Sequence, residues 1–285
     1  NTLVVGAPFN QPDSLYNTGK VKVYSWTGTS WEHIGEDITG AEGLNSWCGY
    51  SVAMASTNFI IAVGSRNYSG IAGSYTGRVR VFEWEGDEYG WIQLGDDIEG
   101  ANLNDRLGSS VALSSDGYTL VSGGLLADSP NGNNTGHVRA FHYSSGSWTQ
   151  LGNTIHGDTE LGGFGSNVAL SGNGLTFITG SPSYDDNNVF NTGLAEVHSF
   201  NGANWVQVGA DFVGGQSTEV GSSVSISFDG SIIAVGAPFA GSSGSASVYK
   251  REGNSWIPFG VTIYGEESGD QSGAAVCLSA DGTKL

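Results

Sequence analysis

Hydrophobic and polar residues follow one another in short runs along the whole chain, and glycine, asparagine, aspartate and serine separate these runs. Typical runs read LVVGA, IIAVGS and VRVFEW and are rich in Val, Ile and Phe. This pattern predicts β-strands joined by tight turns. Because no segment keeps the 3.6-residue period of an amphipathic helix over several turns, we expect almost no helix and an all-β fold class.

The same four runs recur five times. The clearest marker is a tryptophan followed three residues later by an apolar residue and then a glycine, and it occurs at Trp31, Trp91, Trp148, Trp205 and Trp256, at intervals of 60, 57, 57 and 51 residues. A second marker, a glycine that opens a small apolar run, occurs at Gly49, Gly108, Gly165, Gly221 and Gly273. Four antiparallel strands in a repeat of this length are typical of a β-propeller blade. The recurrence of the tryptophans favours packing between blades over stacking on a sugar.

We therefore predict a single domain over residues 1–285, a five-bladed β-propeller of four-stranded antiparallel blades. The blades comprise residues 273–285 with 1–40, then 41–100, 101–157, 158–214 and 215–265. The C-terminal strand would join the N-terminal blade and close the ring, which leaves no exposed edge. A larger ring truncated at both ends is the alternative. The chain opens in a strand-like run without an initiator methionine or signal peptide, so we expect a mature or excised segment.

Composition and charge restrict the possible partners. Of 285 residues 46 are Gly, charged residues make up 13%, and the formal net charge is −18. This charge argues against nucleic acid, whose phosphates need a basic face. No apolar run reaches the ~20 residues of a membrane span, so we expect no membrane insertion of this segment.

The repeats resemble the FG-GAP repeat of integrin alpha-subunit propellers and of many secreted or surface proteins in bacteria and microalgae. The resemblance rests on residues 164–169 (FGSNVA) and on the Gly-Ala-Pro triplets at residues 6–8 and 236–238. It implies an integrin-like propeller whose ligand-binding face is built from the long loops. The calcium loop of that family, D-x-D-x-D-G, is missing from the corresponding turns of this chain.

The sequence predicts no catalytic site and no cofactor. The innermost predicted strands contain no Asp or Glu, which argues against a glycosidase that uses paired carboxylates. The five histidines have no metal-ligand spacing and are read as packing or surface residues. The turns at Asp116, Asp229 and Asp281 hold too few carboxylates for calcium. We therefore expect no metal, and residues 185–188 are the one place where an ion would be tolerated.

The predicted loops differ between the two ends of the strands. The first-to-second and third-to-fourth turns are short, whereas the fourth-to-first and second-to-third loops are long and variable, as at residues 126–134 and 183–191. Long loops on a rigid scaffold usually carry binding residues, although tolerated surface insertions are the alternative. The candidate binding residues on this face are Tyr16, Trp47, Tyr68, Tyr75, Asp105, Asp128, Tyr184, Asp185 and Asp186.

Two Asn-x-Ser/Thr sequons, at Asn67 and Asn133, lie in equivalent long loops and are candidate glycosylation sites. With the acidic, Lys-poor surface they favour an extracellular or cell-surface location. We interpret the chain as a non-catalytic extracellular glycoprotein module of the cell-adhesion type, not an enzyme, whose long-loop face binds a protein or glycan partner. One alternative is a structural subunit of an extracellular fibre or coat. A second is a glycan-binding lectin or glycan-acting enzyme.

Overall fold

The computed structural model describes residues 1–11, 16–40 and 45–285, and all regular structure in this part of the chain is β-strand. The strands form five antiparallel sheets of four or five strands each. The all-β prediction is therefore confirmed, and the sheets are consistent with a propeller. The blade count, the blade boundaries and the closure of the ring stay predictions.

The strands are numbered in chain order. The first sheet contains β1 (Thr2–Ala7), β2 (Lys20–Trp26), β3 (Trp31–His33) and β4 (Ile38–Thr39). The second contains β5 (Ser51–Met54), β6 (Ile60–Ser65), β7 (Arg78–Trp84), β8 (Trp91–Gln93) and β9 (Ile98–Glu99). The third contains β10 (Leu107–Leu113), β11 (Thr119–Gly124), β12 (His137–Ser144), β13 (Ser147–Gln150) and β14 (Ile155–His156).

The fourth sheet contains β15 (Asn167–Leu170), β16 (Thr176–Ser181), β17 (Leu194–Phe200), β18 (Trp205–Gln207) and β19 (Phe212–Val213). The fifth contains β20 (Ser223–Ile226), β21 (Ile232–Ala237), β22 (Ser245–Glu252), β23 (Ser255–Pro258) and β24 (Ile263–Tyr264). In the second to fifth sheets four strands pair in chain order, as the repeat predicts. The fifth strand of each sheet pairs back on its third strand.

This short additional strand is absent from the sequence-based prediction. In the second sheet Gly95 has a φ of +73°, a conformation that glycine adopts without steric cost and that turns the chain back after β8. Ile98 then pairs with Val79 on β7 and is 6% exposed. Two residues are too few to show a period of two in the sequence, and their burial comes from tertiary packing.

The repeated tryptophans join neighbouring sheets, as predicted. Four of the five donate the indole N–H to a backbone carbonyl of the preceding sheet: Trp91 to Ile34 (3.2 Å), Trp148 to Leu94 (2.7 Å), Trp205 to Leu151 (2.8 Å) and Trp256 to Val208 (2.9 Å). The ring covers apolar side chains of both sheets while its one polar atom is satisfied. These four contacts fix the order of the sheets along the chain.

Glycines let the sheets approach closely beside the first strands. A Cβ on Gly180 would lie 2.0 Å from the carbonyl oxygen of Gly221 in the next sheet, and a Cβ on Gly6 would lie 2.0 Å from that of Gly49. Both distances are far below van der Waals contact. The glycine pattern of the repeat is therefore explained by the packing of neighbouring sheets.

The turns between first and second strands are held by one short polar side chain. In the third sheet the Asp116 carboxylate accepts hydrogen bonds from Ser114 Oγ (2.6 Å) and from the backbone N–H of Tyr118 (3.0 Å). Asp229 and Asp281 make the same bonds in their own turns. A single carboxylate thus serves each turn, in the manner of an Asx turn.

The C-terminal residues lie beside the fifth sheet. The backbone N–H groups of Val276 and Leu278 donate to Ser223 Oγ and Ser225 Oγ of β20, both at 2.9 Å. In the described part of the chain β1 pairs only with β2. The predicted pairing of this C-terminal segment with β1 is not seen here, and closure of the ring stays a prediction.

Candidate functional site

The first strands of neighbouring sheets contact one another, and a cavity opens where β5, β10 and β15 begin. Its volume is about 620 Å³, and we call it the channel-mouth cavity. Its wall is mostly polar and includes Tyr50, Ser51, Arg66, Ser109, Ser110, Ser166 and Asn167. It lies at the end of the strands that carries the long loops.

Neighbouring sheets position the polar wall through their own hydrogen bonds. Ser51 Oγ donates to the carbonyl of Gly108 (2.8 Å), and Ser110 Oγ donates to that of Gly165 (2.7 Å). The side-chain amide of Asn167 donates to the carbonyl of Ser222 (2.8 Å). These groups are held by backbone of the next sheet, so the wall is rigid on three sides.

Arg66 supplies a positive charge to this wall. Its guanidinium lies over the ring of Tyr50, 4.5 Å from the centroid, and near that of Trp47, at 5.7 Å. Its Nε is buried and has no hydrogen-bond partner among the residues that the structure describes. Stacking on aromatic faces fixes the plane of the guanidinium and leaves its donors free for a ligand.

Arg106 lies beside Arg66. Its Nη1 donates to Asn67 Oδ1 (2.6 Å), and its guanidinium lies 5.0 Å from the ring centroid of Tyr75. Burial lowers the pKa of Arg106, and the nearby positive charge of Arg66 lowers it further. The Arg106 Nε is also buried without a partner. Ser109 Oγ, which lines the cavity, donates to the Arg106 carbonyl (2.7 Å) and ties this residue to the wall.

Neither arginine has a carboxylate partner in the described ranges, where the ion pairs involve other cations. Two guanidinium groups whose charges repel each other, in a protein of net charge −18, form a local positive site. Such a site binds an anion or stabilises negative charge that develops during a reaction.

A second groove, of about 480 Å³ between the first and second sheets, differs in this respect. There Arg78 Nη1 lies 2.7 Å from Asp97 Oδ2, and Asp37 binds Lys20 at 2.9 Å. This hydrogen bond from Lys20 lowers the pKa of Asp37. Arg78 and Asp37 thus have oppositely charged partners within the protein, which indicates a structural role for these two side chains.

The predicted binding residues are distributed over several loops. Trp47 and Tyr75 contact the two arginines, and Tyr68 stacks on Arg78 instead. Tyr16 is exposed away from these contacts. The remaining aromatic candidate, Tyr184, lies in a fourth-sheet loop, where burial raises its pKa and Asp186 raises it further.

The predicted acidic residues mainly hold their own loops. Asp128 and Asp185 each accept a backbone N–H within the loop, from Asn134 (2.8 Å) and Asn191 (2.7 Å). Asp186 accepts from the side chain of Asn187. Asp105 is fully buried, and its carboxylate accepts from the Asn102 backbone. Burial raises the pKa of Asp105, so this residue is not exposed to a partner.

The two sequons differ in exposure. Asn67 is 6% exposed and its side chain binds Arg106, so it contributes to the arginine site. Asn133 is exposed in its loop. Glycosylation at either position stays a prediction.

The sequence analysis missed Arg66 and Arg106. The sequence feature that could have indicated them is the scarcity of positive charge. The chain has only 10 Lys and Arg residues, and these two lie where a long loop meets a strand. Within the described residues no cluster of three His, Cys, Asp or Glu side chains is arranged to hold a metal ion. In the part of the chain that the structure describes, no helix is long and apolar enough to cross a bilayer.

Comparison with known proteins gives no matching family model and no matching curated protein. Among solved structures the chain is similar to a periplasmic gluconolactonase of Pseudomonas aeruginosa, with a TM-score of 0.60 and 15% identity over 93% of this chain and 69% of that one. A putative 6-phosphogluconolactonase from Bacteroides uniformis aligns with a TM-score of 0.47 and 11% identity over 91% and 81% of the two chains.

The periplasmic gluconolactonase, with its TM-score of 0.60, contradicts the expected FG-GAP, integrin-like membership and the cell-adhesion role that it implied. Because that neighbour is named as an enzyme, it likewise contradicts the expectation that the chain is not an enzyme. The physical reason is visible in the glycines. Positions such as Gly6 and Gly165 carry the resemblance, yet they serve the close approach of sheets. The glycine motif is therefore explained by the packing of neighbouring sheets and does not identify a particular family.

Proposed function

We propose that the protein is a hydrolase that acts on a sugar lactone in the channel-mouth cavity. The observation that carries this proposal is the pair Arg66 and Arg106, two guanidinium groups without a carboxylate partner in the described ranges. The fold supports it, since the neighbour with a TM-score of 0.60 is a gluconolactonase. A volume of about 620 Å³ lies within the usual range for small-molecule sites.

The reaction would place its negative charge at the arginines. Water adds to the lactone carbonyl, the resulting tetrahedral oxyanion collapses, and the ring C–O bond breaks. The ring oxygen takes up a proton, and the new carboxylic acid loses one to solvent. Donors that are already oriented toward the oxyanion lower the barrier, and removing one such donor commonly reduces kcat by about 10²–10³.

The surroundings of Arg66 suit a sugar ring. Trp47 and Tyr50 stack with a centroid distance of 6.0 Å and present apolar faces beside the guanidinium. Ser51 of the same second sheet and Asn167 of the fourth sheet contribute polar groups. Aromatic faces combined with hydroxyl and amide groups match the alternating C–H and O–H surfaces of a carbohydrate.

The described cavity wall includes no carboxylate and no imidazole. We therefore assign charge stabilisation to Arg66 and Arg106 and leave proton transfer to solvent. The rate should then rise with pH as hydroxide becomes available, without the bell shape that a general acid and base produce. For location we propose the extracellular or envelope side, supported by the periplasmic neighbour.

The test is hydrolysis of glucono-δ-lactone, followed by acid release above the uncatalysed rate. Arg66→Gln and Arg106→Gln should each reduce kcat/KM by about 100-fold. Arg251→Gln is the matched control, because it removes the same charge from the fifth sheet, where Arg251 binds the Gly253 carbonyl. Unchanged activity in both site variants, or no turnover of any sugar lactone, would reject the proposal.

A second outcome separates catalysis from binding. If the protein binds gluconate or another sugar acid but turns over no lactone, the chain is a glycan-binding lectin. Binding measured by calorimetry would then still depend on Arg66 and Arg106, and it would weaken with salt because the contact is between charges.

A further inference from the structure

Neighbouring sheets enclose grooves at equivalent places, and two of these grooves contain an arginine of the protein itself. The two arginines make the same two contacts: Arg80 donates to the carbonyl of Thr39 (2.7 Å) and lies 5.2 Å from the ring centroid of Phe82, and Arg139 donates to the carbonyl of Glu99 (3.3 Å) and lies 4.8 Å from that of Phe141. In each case a guanidinium group lies between a carbonyl of the preceding sheet and an aromatic ring of its own sheet.

The groove between the fourth and fifth sheets lacks this arginine. Ser247 stands two residues before Tyr249, at the position where Arg80 stands two residues before Phe82. The Ser247 hydroxyl shares a hydrogen bond with the Thr262 hydroxyl (3.0 Å), within the fifth repeat. A cavity of about 350 Å³ opens here, and Ser247 and Tyr249 line it.

This groove keeps the carbonyl that accepts from the arginine elsewhere. Val213 on β19 pairs with Leu194 on β17. Thr39 pairs with Lys20 in the same register, so the Val213 carbonyl occupies the position of the Thr39 carbonyl. Val213 also lines the cavity.

The groove also keeps the aromatic ring. Tyr249 takes the place of Phe82 and Phe141, and Phe212 packs against it with a centroid distance of 4.5 Å. Phe82 and Phe141 are 7% and 5% exposed, whereas Tyr249 is half-buried. This difference is expected for a ring that no guanidinium group covers.

A carboxylate completes the groove. Asp211 lines the cavity and accepts a hydrogen bond from the side chain of Gln207. The equivalent carboxylates of the first two sheets bind Lys20 and Arg78, but the fourth sheet has Leu194 at that position. Among the described residues no ion pair includes Asp211, so its charge is available to a ligand. We call Asp211, Val213, Ser247 and Tyr249 the open groove.

We propose that the open groove binds the guanidinium group of a ligand, either a free guanidino compound or the arginine side chain of a peptide. The guanidinium stacks on Tyr249, donates to the Val213 carbonyl and pairs with the Asp211 carboxylate. A planar, permanently charged group with several donors makes these three contacts together, whereas an ammonium group is a compact and strongly hydrated charge. The site shares no residue with the channel-mouth cavity and does not rest on the proposed lactone hydrolysis.

Calorimetry with agmatine and with the peptide acetyl-Gly-Arg-Gly-amide tests this site. At least one of them should bind 1:1 at low salt with a Kd below ~1 mM, and salt should weaken the binding. Cadaverine and acetyl-Gly-Lys-Gly-amide, which carry ammonium groups instead, should bind at least about 10-fold more weakly. Binding of agmatine alone identifies a small guanidino compound as the ligand, and binding of the peptide alone identifies an arginine side chain. If neither arginine probe binds, or if the ammonium probes bind equally well, the proposal is overturned.

Two variants test the residues of the groove. Ser247→Arg supplies an internal guanidinium, as in the second and third sheets, and should abolish binding while it raises the melting temperature. Asp211→Asn should weaken binding by about 10-fold, because it removes a charge-assisted hydrogen bond. Asp87→Asn is the matched control, because it removes the same charge from an exposed turn of the second sheet and should bind like the wild type.

The variants also separate this site from the proposed hydrolysis. Lactone turnover should be the same in all three variants as in the wild type. A folded Ser247→Arg protein that binds as tightly as the wild type overturns the proposal. Equal affinities of Asp211→Asn and Asp87→Asn overturn it as well, even if Ser247→Arg does not fold.

Discussion

His137 is the residue whose burial makes stability depend most clearly on pH. It begins β12, is 4% exposed, and its Nε2 has no hydrogen-bond partner. Its pKa is lowered from 6.5 to about 3, chiefly by burial and in addition by the charges of Arg139 and His156. His156, whose ring centroid is 6.3 Å away, also has a lowered pKa, chiefly because of burial.

The direction of the pH dependence follows from the difference in proton binding between the unfolded and the folded chain. The unfolded chain binds a proton at His137 below pH 6.5, whereas the folded chain binds none until about pH 3. The free energy of unfolding therefore has its full value above pH 6.5 and decreases as the pH falls from 6.5 to about 3. Between pH 7.5 and pH 5 the loss is about 2 kcal/mol, since each unit of pKa difference corresponds to about 1.4 kcal/mol. The raised pKa of Asp105 acts in the opposite direction, and measurement at pH 5 and above limits its effect.

Urea unfolding at pH 7.5 and pH 5 measures this loss. With a slope of about 3 kcal/mol per molar urea, the midpoint should fall by about 0.7 M. His137→Gln should remove most of this difference. His142→Gln is the control, because His142 lies on the same strand with an exposed side chain. A wild-type midpoint that does not move between these pH values, or a His137→Gln protein with the full shift, would refute the reasoning.

Two further predictions concern the packing of neighbouring sheets. Gly180→Ala should destabilise the fold by about 3 kcal/mol or more, because its Cβ would meet the Gly221 carbonyl at 2.0 Å. Gly146→Ala has open space and should cost only about 1 kcal/mol for its positive φ, and equal losses in the two variants would contradict the packing argument. Trp148→Phe keeps an aromatic ring but leaves the Leu94 carbonyl without its 2.7 Å donor, so we expect a loss of about 1–3 kcal/mol in chemical denaturation. A loss below about 0.5 kcal/mol would show that water replaces this donor.

The strands could be predicted from the sequence because the repeat supplies the same evidence five times. Runs such as β6 and β21 are continuously apolar, rich in Ile and Val, and contain a glycine at the same position. The two-residue strands, such as β9, could not be predicted from the sequence. They form because Val79 and Arg78 on β7 provide backbone groups for them to pair with, and this pairing is a tertiary contact. The repeated tryptophans allowed the packing between sheets to be predicted correctly. An aromatic residue that recurs at the same position of each repeat is expected to make the same contact in each repeat.

The candidate site could be predicted only in part. Trp47 and Tyr75 are aromatic residues in irregular loops, and that reasoning brought them close to the cavity. Arg66 and Arg106 are 40 residues apart in sequence, and their meeting depends on how the second and third sheets pack. The acidic candidates stay predictions, and their local role was not visible in the sequence, because a carboxylate in a loop such as Asp128 can bind backbone N–H groups of that loop.

The polar turns between first and second strands have a consequence for folding order. Ser171 Oγ donates to Asn173 Oδ1 (2.7 Å) and accepts from the backbone N–H of Thr176 (3.0 Å), all within six residues. Ser279 makes equivalent bonds at the C-terminal end, even though the residues that follow Asp281 have no strand partner there. A turn closed by its own side chains can form within microseconds, before distant segments meet. Each repeat therefore contains a turn that can serve as its own folding nucleus. Strand register is set locally as the chain emerges, so a repeat can start to fold without waiting for the neighbouring sheets.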